Sequence, residues 1–399
     1  MLVRYAVAAS LARIADEMVS VSVVLLVLGR TGDFGLSGAA VAGYTLPAVL
    51  TGPLLGAWLA GARRPRLALV ANELVLAAVM VGLVCTVGHA PAPVVVVLTL
   101  FAGTSLPLTS AGFSSLLPAM VGDAGMVRAN TVDAATINGA AIAGPAMAGT
   151  LSGVFGPAYA VGAIAVVAVL SVIATMLVTA LGAKAHGPRP ALLRVARDGL
   201  AHLARTPPLR AATLASVISY GCVGLLVVAL PARVVELGAP RSAAGYVWTA
   251  LECGGLASVL VVVPRLRRFR PEWVVFAAVG TYGVLLAGMA ILPTLAATVV
   301  VAVVAGLAEG PCLPFVFVAR QRYSPADLLA QVATTGASLK IGAFALGSVL
   351  SGTLTGPLGA VGVILIAAAG QVVAAGAGWA AGRGLLPDQP SHHQRWPLP

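Results

Sequence analysis

Charged side chains are scarce in this chain of 399 residues. Only 9% of the residues are charged and 5% are aromatic, whereas 59% are apolar. Soluble domains carry about a quarter charged residues, so this composition excludes an ordinary soluble protein. The mean hydropathy of +0.99 indicates that hydrocarbon, and not water, is the solvent for most side chains.

The residues from which enzymes build their sites are few and scattered. Five histidines lie in polar segments, and four cysteines stand at no metal-binding or redox spacing: His89, His186, His202, His392, His393, Cys85, Cys222, Cys253 and Cys312. Neither lysine follows a glycine, as a P-loop requires, and the G-x-S-x-G and H-E-x-x-H motifs are absent. We therefore expect no enzyme activity, no metal site and no cofactor.

Long apolar runs fill most of the sequence. A hydrocarbon layer about 30 Å thick needs about 20 apolar residues in a helix. Runs of that length predict an all-α integral membrane protein with twelve transmembrane helices: 5–29, 36–61, 67–88, 93–120, 129–153, 156–182, 211–232, 242–264, 273–292, 295–319, 327–352 and 357–382.

The basic residues are distributed unevenly over the loops. On this layout, 19 of the 24 arginines and lysines fall on one side. The positive-inside rule then predicts that both termini are cytoplasmic, in a multi-pass protein of the cell membrane. The net charge of +11 favours contact with membrane lipids. No recognition motif accompanies it, so we expect no nucleic-acid partner.

An internal repeat divides the chain into two similar halves. The segments 139–153 and 342–356 match at an offset of 203, with four glycines in register. Two G-x-x-L-P motifs, starting at Gly103 and Gly310, match at an offset of 207 and contain Pro107 and Pro314. The predicted plan is two pseudo-symmetric six-helix bundles, residues 1–182 and 211–382. A linker, 183–210, carries an amphipathic helix on the inner membrane surface, and a disordered cytoplasmic tail, 383–399, follows the second bundle.

This plan resembles the major facilitator superfamily (MFS) over nearly the whole chain. The resemblance implies two bundles that rock about a small-molecule site near mid-membrane, with the first, fourth, seventh and tenth helices lining the cavity. Glycine and proline interrupt the fourth helix at Gly103 and Pro107, and the tenth at Gly310, Pro311 and Pro314. Two fused halves need no partner chain to form such a pathway, so we expect a functional monomer.

The fifth helix carries a motif that resembles one in proton-coupled drug and metabolite exporters. It consists of Gly144, Pro145 and Gly149, preceded by Gly139, with Ala148 where the family usually has glycine. Glycines allow helices to approach closely and proline interrupts the helix, so the motif predicts a pivot or gate. A glycine-rich packing face without directional meaning is the alternative interpretation.

Two other family features are missing. An aspartate is expected in the loop after the second helix, where Ala60 stands, and an arginine is expected in the fourth helix. The resemblance therefore supports membership of the family more strongly than it supports a standard proton relay.

Charged residues inside predicted membrane helices are costly and require an explanation. Our candidates for a proton or substrate pathway are Arg13, Asp16, Glu17, Glu252, Glu309 and Lys340. Helical spacing places Asp16 and Glu17 on one face with Arg13, so one acid is expected to neutralise the arginine while the other binds a proton or cation. A closed salt-bridge cluster is the alternative. Lys340 is a possible fixed partner of Glu309, and Glu252 is ranked third.

Two further acids, Glu73 and Asp133, lie near the predicted cytoplasmic boundary. We assign them to snorkelling or gate contacts and not to substrate binding.

Three functions fit these features. The first is secondary transport of the MFS type, by proton-coupled efflux of a small amphipathic or cationic compound such as a drug. The second is import or facilitated diffusion of a nutrient. The third is a membrane scaffold or lipid-handling protein that does not transport.

Overall fold

The computed structural model describes residues 2–49, 51, 64–104, 106–178, 192–325 and 328–382. The helices of the first half and the linker are α1 Leu2–Thr31, α2 Phe34–Thr45, α3 Pro65–Thr86, α4 Ala92–Gly103, α5 Phe113–Ser115, α6 Leu117–Val154, α7 Pro157–Met176 and α8 Leu192–Arg205. Those of the second half are α9 Pro207–Gly224, α10 Leu226–Glu236, α11 Ala244–Val261, α12 Val263–Leu266, α13 Pro271–Ile291, α14 Leu295–Glu309, α15 Cys312–Tyr323 and α16 Leu329–Ala381.

The described helices have the length and composition of membrane spans. Six are long and apolar enough to cross a membrane, and the pair α9 and α10, bent by 43°, makes a seventh. One of the six, α16, turns at Gly359, whose φ of 71° suits a residue without a Cβ. Positions 347 and 370, on either side of that turn, both pack against α9 near Gly221 and Cys222. The chain therefore folds back, and α16 supplies two crossings.

Both predicted helix interruptions are present. In the fourth crossing, α4 ends at Gly103 and a π-helical turn, Leu108–Gly112, follows Pro107 directly. In the tenth, α14 ends at Glu309 and α15 begins at Cys312, after Gly310 and Pro311. Proline lacks the N–H that a regular helix needs, which explains why the helical bonding changes at these positions.

Close helix contacts repeat from one half to the other. Gly144 lies against Glu17 of the first crossing, and its sequence partner Gly347 lies against Gly221 and Gly224 of the seventh. The glycines of the two G-x-x-L-P motifs also make equivalent close contacts in the two halves. Gly103 packs against the backbone of Tyr44 in the second crossing. Gly310 meets Gly255 and Ser258 of the eighth. The repeat found in the sequence is thus a repeat of helix contacts, and the predicted all-α fold of two similar bundles is confirmed.

The arginine-rich end of the molecule is the end at which α3 and α13 begin and α15 ends. The two halves contact each other mainly at the opposite end. There Gly38 of α2 packs on Ser348 and Gly352 of α16, and Gly149 of α6 packs on Ser242 and Gly245 beside the start of α11. An apolar cluster joins the halves nearby, formed by Val24, Leu28, Val41, Val227 and Val228. We call this cluster the apolar seal.

The predicted amphipathic helix in the linker is present as α8, but part of its apolar face packs on protein. Leu203 is only 3% exposed and forms a cluster with Leu209 and Val332. His202 Nε2 lies 3.1 Å from the Tyr323 carbonyl oxygen. Leu200 is half exposed, so the helix both docks on the second half and presents apolar surface outward. The predicted disordered tail, 383–399, lies outside the described residues.

Candidate functional site

A cavity of about 380 Å³ lies between the two halves. Its walls come from both halves, with side chains on α1, α2 and α6 facing side chains on α9, α10, α11 and α16. The apolar seal adjoins it at one end, since Val227 belongs to both. Each half supplies one face, so movement of either half changes the shape of the cavity.

Three carboxylates face this cavity. Asp16 and Glu17 come from α1, and Glu252 comes from α11 of the other half. Glu17 and Glu252 are exposed to the cavity and Asp16 is half-buried. Among the described residues that line the cavity, none is lysine, arginine or histidine. A cation entering it would therefore meet negative charge from both halves.

Aromatic rings accompany the acids. Tyr44, Tyr220 and Trp248 line the cavity, and the Tyr44 hydroxyl donates a hydrogen bond to Asp16. Aromatic faces attract cations and contribute apolar area at the same time. The lining thus suits a molecule with a positive charge and an apolar body.

The motif glycine of the fifth crossing positions one of these acids. A Cβ atom on Gly144 would lie 2.5 Å from the Cβ of Glu17 and 2.9 Å from its carbonyl carbon. Any larger residue would push α1 away from α6. The glycine is therefore needed for the position of Glu17, a connection that the sequence motif did not reveal.

Glu252 is more central than the sequence suggested. It is ranked third among the candidates on sequence grounds, but its side chain lines the cavity opposite α1. It lies close enough to Glu17 and Glu309 for their charges to interact. Only the packing of α11 against α6 across the halves places it there.

Glu309 and Lys340 are not among the residues that line the cavity. Lys340 interacts electrostatically with Glu309, but its Nζ lies 4.6 Å above the centre of the Tyr220 ring. Within the described chain the two residues do not form a direct ion pair. Lys340 therefore borders the cavity through Tyr220, and the predicted fixed pair with Glu309 is not formed in this conformation.

Arg13 pairs with an unexpected partner. Its guanidinium forms an ion pair of 2.8 Å with Asp133, on α6, instead of the predicted pair with Asp16 or Glu17. Ser114 donates a hydrogen bond of 2.7 Å to Asp133, and Tyr5 donates one of 2.6 Å. Arg13 is 4% exposed and Asp133 is 7% exposed. Spacing within α1 could not reveal a partner 120 residues away, and this pairing leaves both cavity acids available.

A second buried polar cluster lies in the first half. Glu73 is 0% exposed, and its Oε1 accepts hydrogen bonds from Asn72 and, at 3.3 Å, from Thr109 in the π-helical turn. Its Oε2 has no protein partner among the described residues. Sequence position alone suggested a boundary residue, whereas the fold encloses Glu73 completely.

The remaining gate candidates divide into two groups. A Cβ on Gly149 would lie 2.7 Å from the Ser242 carbonyl oxygen of the other half, and Pro145 contacts Gly245. Gly139 has no heavy atom within 4 Å of the place of a Cβ, so it brings no helix close in this conformation. Ala60, the position at which an aspartate was expected, lies outside the described residues.

No group of three or more histidines, cysteines or acids that could hold a metal occurs in the described part of the chain. The cavity combines negatively charged side chains and aromatic rings, and its two walls belong to different halves of the molecule. Such a site can bind and release a small molecule.

Comparison with known proteins supports this interpretation. Residues 5–333 match the model of the Major Facilitator Superfamily. The chain is 27% identical over 358 residues to an uncharacterized MFS-type transporter of Sinorhizobium fredii, covering 87% of this chain and 86% of the relative.

Solved transporters share the fold at low sequence identity. The nucleoside transporter NupG superposes with a TM-score of 0.78 at 14% identity, covering 95% of this chain and 98% of its own. An auto-inhibited POT family peptide transporter gives 0.73 at 12%, covering 99% and 98%. A bacterial homologue of the human lysosomal transporter Spinster, inward-facing and unoccupied, gives 0.71 at 12%, covering 96% of each chain. With a family match over most of its length and this fold around a cavity between two halves, the chain belongs to the Major Facilitator Superfamily of membrane transporters.

Proposed function

We propose that this transporter exports small cationic, amphipathic compounds from the cytoplasm in exchange for protons. The observation that supports the proposal is the lining of the central cavity, which combines Asp16, Glu17 and Glu252 with aromatic side chains and no basic residue among those described. Drugs and secondary metabolites that carry an amine on an apolar body have the matching chemistry.

Competition for the same carboxylates would provide the coupling. A carboxylate can hold either a proton or the substrate cation, so binding of one displaces the other. When one proton enters for each monovalent cation that leaves, the two charges cancel and the membrane potential contributes nothing. The pH gradient then drives the exchange, at about 1.4 kcal/mol for each tenfold ratio of proton concentrations. Antiport then requires only that the cavity face each side in turn with one of the two ligands bound.

The conformation of the molecule fits the first step of such a cycle. The halves contact each other at the end opposite the arginine-rich loops, where the apolar seal lies. By the positive-inside rule the arginine-rich end is cytoplasmic. We infer that both termini are cytoplasmic, that the protein lies in the cell membrane, and that this state receives substrate from the cytoplasm.

The nearest alternative is a nutrient importer. Two of the structural neighbours are a nucleoside transporter and a peptide transporter. Their low identity establishes the shared fold only, and the acidic cavity matches neither substrate in particular.

The test is a flux assay with purified protein in liposomes. A panel of cationic dyes, neutral nucleosides and peptides should be offered with and without an imposed pH gradient. We expect gradient-driven movement of the cationic dyes, opposite in direction to the protons. Uptake of nucleosides or peptides in the direction of the protons would contradict export, and an absence of flux for every compound would contradict transport of these classes.

A further inference from the structure

An apolar groove of about 470 Å³ lies on the outer face of the second half, away from the central cavity. It is bounded by α11 and α12, by α13, and by the interrupted tenth crossing, where Leu307, Ala308 and Pro311 form its floor. Trp273 stands at its edge and is 48% exposed. Tryptophan is enriched at the level of lipid headgroups, so this part of the groove lies where a lipid head meets its chains.

The mouth of the groove is unusually basic. The segment from 265 to 270 contains four arginines, all exposed. Leu266 and Phe269 of the same segment line the groove, as does Trp273 just after it. Basic and apolar groups therefore alternate along one short stretch of chain.

Two of these arginines have no hydrogen-bonded or ion-paired partner among the described residues. Arg265 donates to the Val261 carbonyl, and Arg268 lies 5.0 Å over the Phe269 ring. In contrast, Arg267 and Arg270 form no hydrogen bond, ion pair or ring contact within the described chain. The acid nearest in sequence, Glu272, is 1% exposed and accepts a hydrogen bond from Tyr323. Two guanidinium groups are thus left for an external anion.

Other arginines at the same end are used internally. Arg66 donates to the Val178 carbonyl and Arg210 to the Ala381 carbonyl. A general need for positive charge on this side of the membrane is therefore insufficient to explain why Arg267 and Arg270 remain unpaired beside an apolar groove.

We propose that this groove is a binding site for an anionic phospholipid, with the headgroup phosphate held by Arg267 and Arg270 and an acyl chain lying in the groove. Guanidinium groups bind phosphate through paired N–H donors. Basic pockets between transmembrane helices on the cytoplasmic side bind anionic lipid heads in this way. The positive charge of the two arginines favours an anionic headgroup, and the acyl chain packs against the apolar side chains of α13 and α14.

The test measures lipid retained by the purified, delipidated protein after incubation with vesicles of palmitoyl-oleoyl phosphatidylcholine, with or without the corresponding phosphatidylglycerol. Native mass spectrometry counts the bound molecules. We expect preferential retention of phosphatidylglycerol. The double variant Arg267→Gln/Arg270→Gln should weaken it roughly thirtyfold, as expected for two juxtamembrane arginines.

Two further variants separate head from chain. Ala277→Trp fills the groove and should reduce retention while leaving the arginines in place. Arg128→Gln is the matched control, because Arg128 borders a second groove of about 420 Å³ on α1 and α6. It should leave phosphatidylglycerol binding unchanged, and glycerol phosphate, which lacks acyl chains, should not displace the bound lipid.

Equal retention of the two lipids by the wild-type protein would overturn the proposal. So would unchanged retention in the double arginine variant or in Ala277→Trp, provided that thermal unfolding shows each variant to be folded. Displacement by glycerol phosphate would identify a phosphate site without a lipid groove and would likewise overturn it.

Discussion

Two buried carboxyl groups in the first half have opposite electrostatic surroundings. Asp133 neutralises Arg13 in an ion pair that also ties α1 to α6. Glu73 is equally enclosed, but no arginine or lysine of the described chain pairs with it. The same chemical change should therefore have different consequences at the two positions.

Asp133→Asn should destabilise the protein strongly. It leaves the Arg13 guanidinium buried without its counter-ion, which costs about 3–5 kcal/mol. Thermal unfolding of the purified protein in detergent should show a clearly lower Tm. Glu73→Gln is the matched control. It should change the free energy of unfolding by less than about 1 kcal/mol, because it leaves no buried charge without a counter-ion. Equal losses in the two variants would contradict the assignment of Asp133 as the counter-ion.

The cavity acids should control binding of cations more than they control folding. Glu17→Gln and Glu252→Gln each remove one charge that faces the cavity. An interaction with a charged group contributes about 1.5–3 kcal/mol, so we expect cation affinity to fall roughly tenfold or more. Dye binding to purified protein measures this directly.

Glu236→Gln is the control for charge alone. Glu236 pairs with Arg233 outside the cavity, and its loss should leave dye affinity unchanged. If all three variants bound the dye equally well, the acidic cavity would not be the cation site.

At the scale of elements, glycines set where the two halves can touch. The contact of α6 with the start of α11 depends on Gly149 and Gly245, because backbone lies where a side chain would be. The equivalent contact of α2 with α16 uses Gly38 and Gly352. Both contacts lie at the closed end, so their loss should favour a state that is open there.

Gly149→Val should separate the halves at this end. Its Cβ would lie 2.7 Å from the Ser242 carbonyl oxygen, a backbone atom that cannot move independently. Spin labels at Phe155 and Val235, exposed on the two halves, should report a longer distance than in the wild-type protein. Gly139→Val, in open space on the same helix, should leave that distance unchanged. An unchanged distance in Gly149→Val would show that this contact does not hold the end closed.

At the scale of the whole molecule, this conformation should open the cavity to one side of the membrane only. Ala141 lines the cavity, whereas Thr31 is exposed at the closed end. In a background without native cysteines, Ala141→Cys should react with a membrane-impermeant maleimide in inside-out vesicles. Thr31→Cys should react only in right-side-out vesicles. Without substrate or a pH gradient, faster reaction of Ala141→Cys from the outside than from the inside would contradict the conformation or the orientation proposed here.

The amino-acid sequence by itself determined the class of the protein and its plan. Apolar runs of membrane length and a glycine repeat are local, periodic signals, and they predicted the helices, the two halves and the interruptions at Pro107 and Pro311. The resemblance carried by Gly144, Pro145 and Gly149 also led to the correct family. Local composition is sufficient for these conclusions because a helix in a bilayer must satisfy its own backbone hydrogen bonds.

Tertiary structure alone decided which charges meet. Arg13 has three acids within reach by sequence or position, and only the packing of α1 on α6 assigns it to Asp133. The same packing leaves Asp16 and Glu17 to the cavity and brings Glu252 to them from the other half. The physical reason is that a charge in a low-dielectric interior is governed by neighbours within a few ångströms, and those neighbours are distant in the sequence.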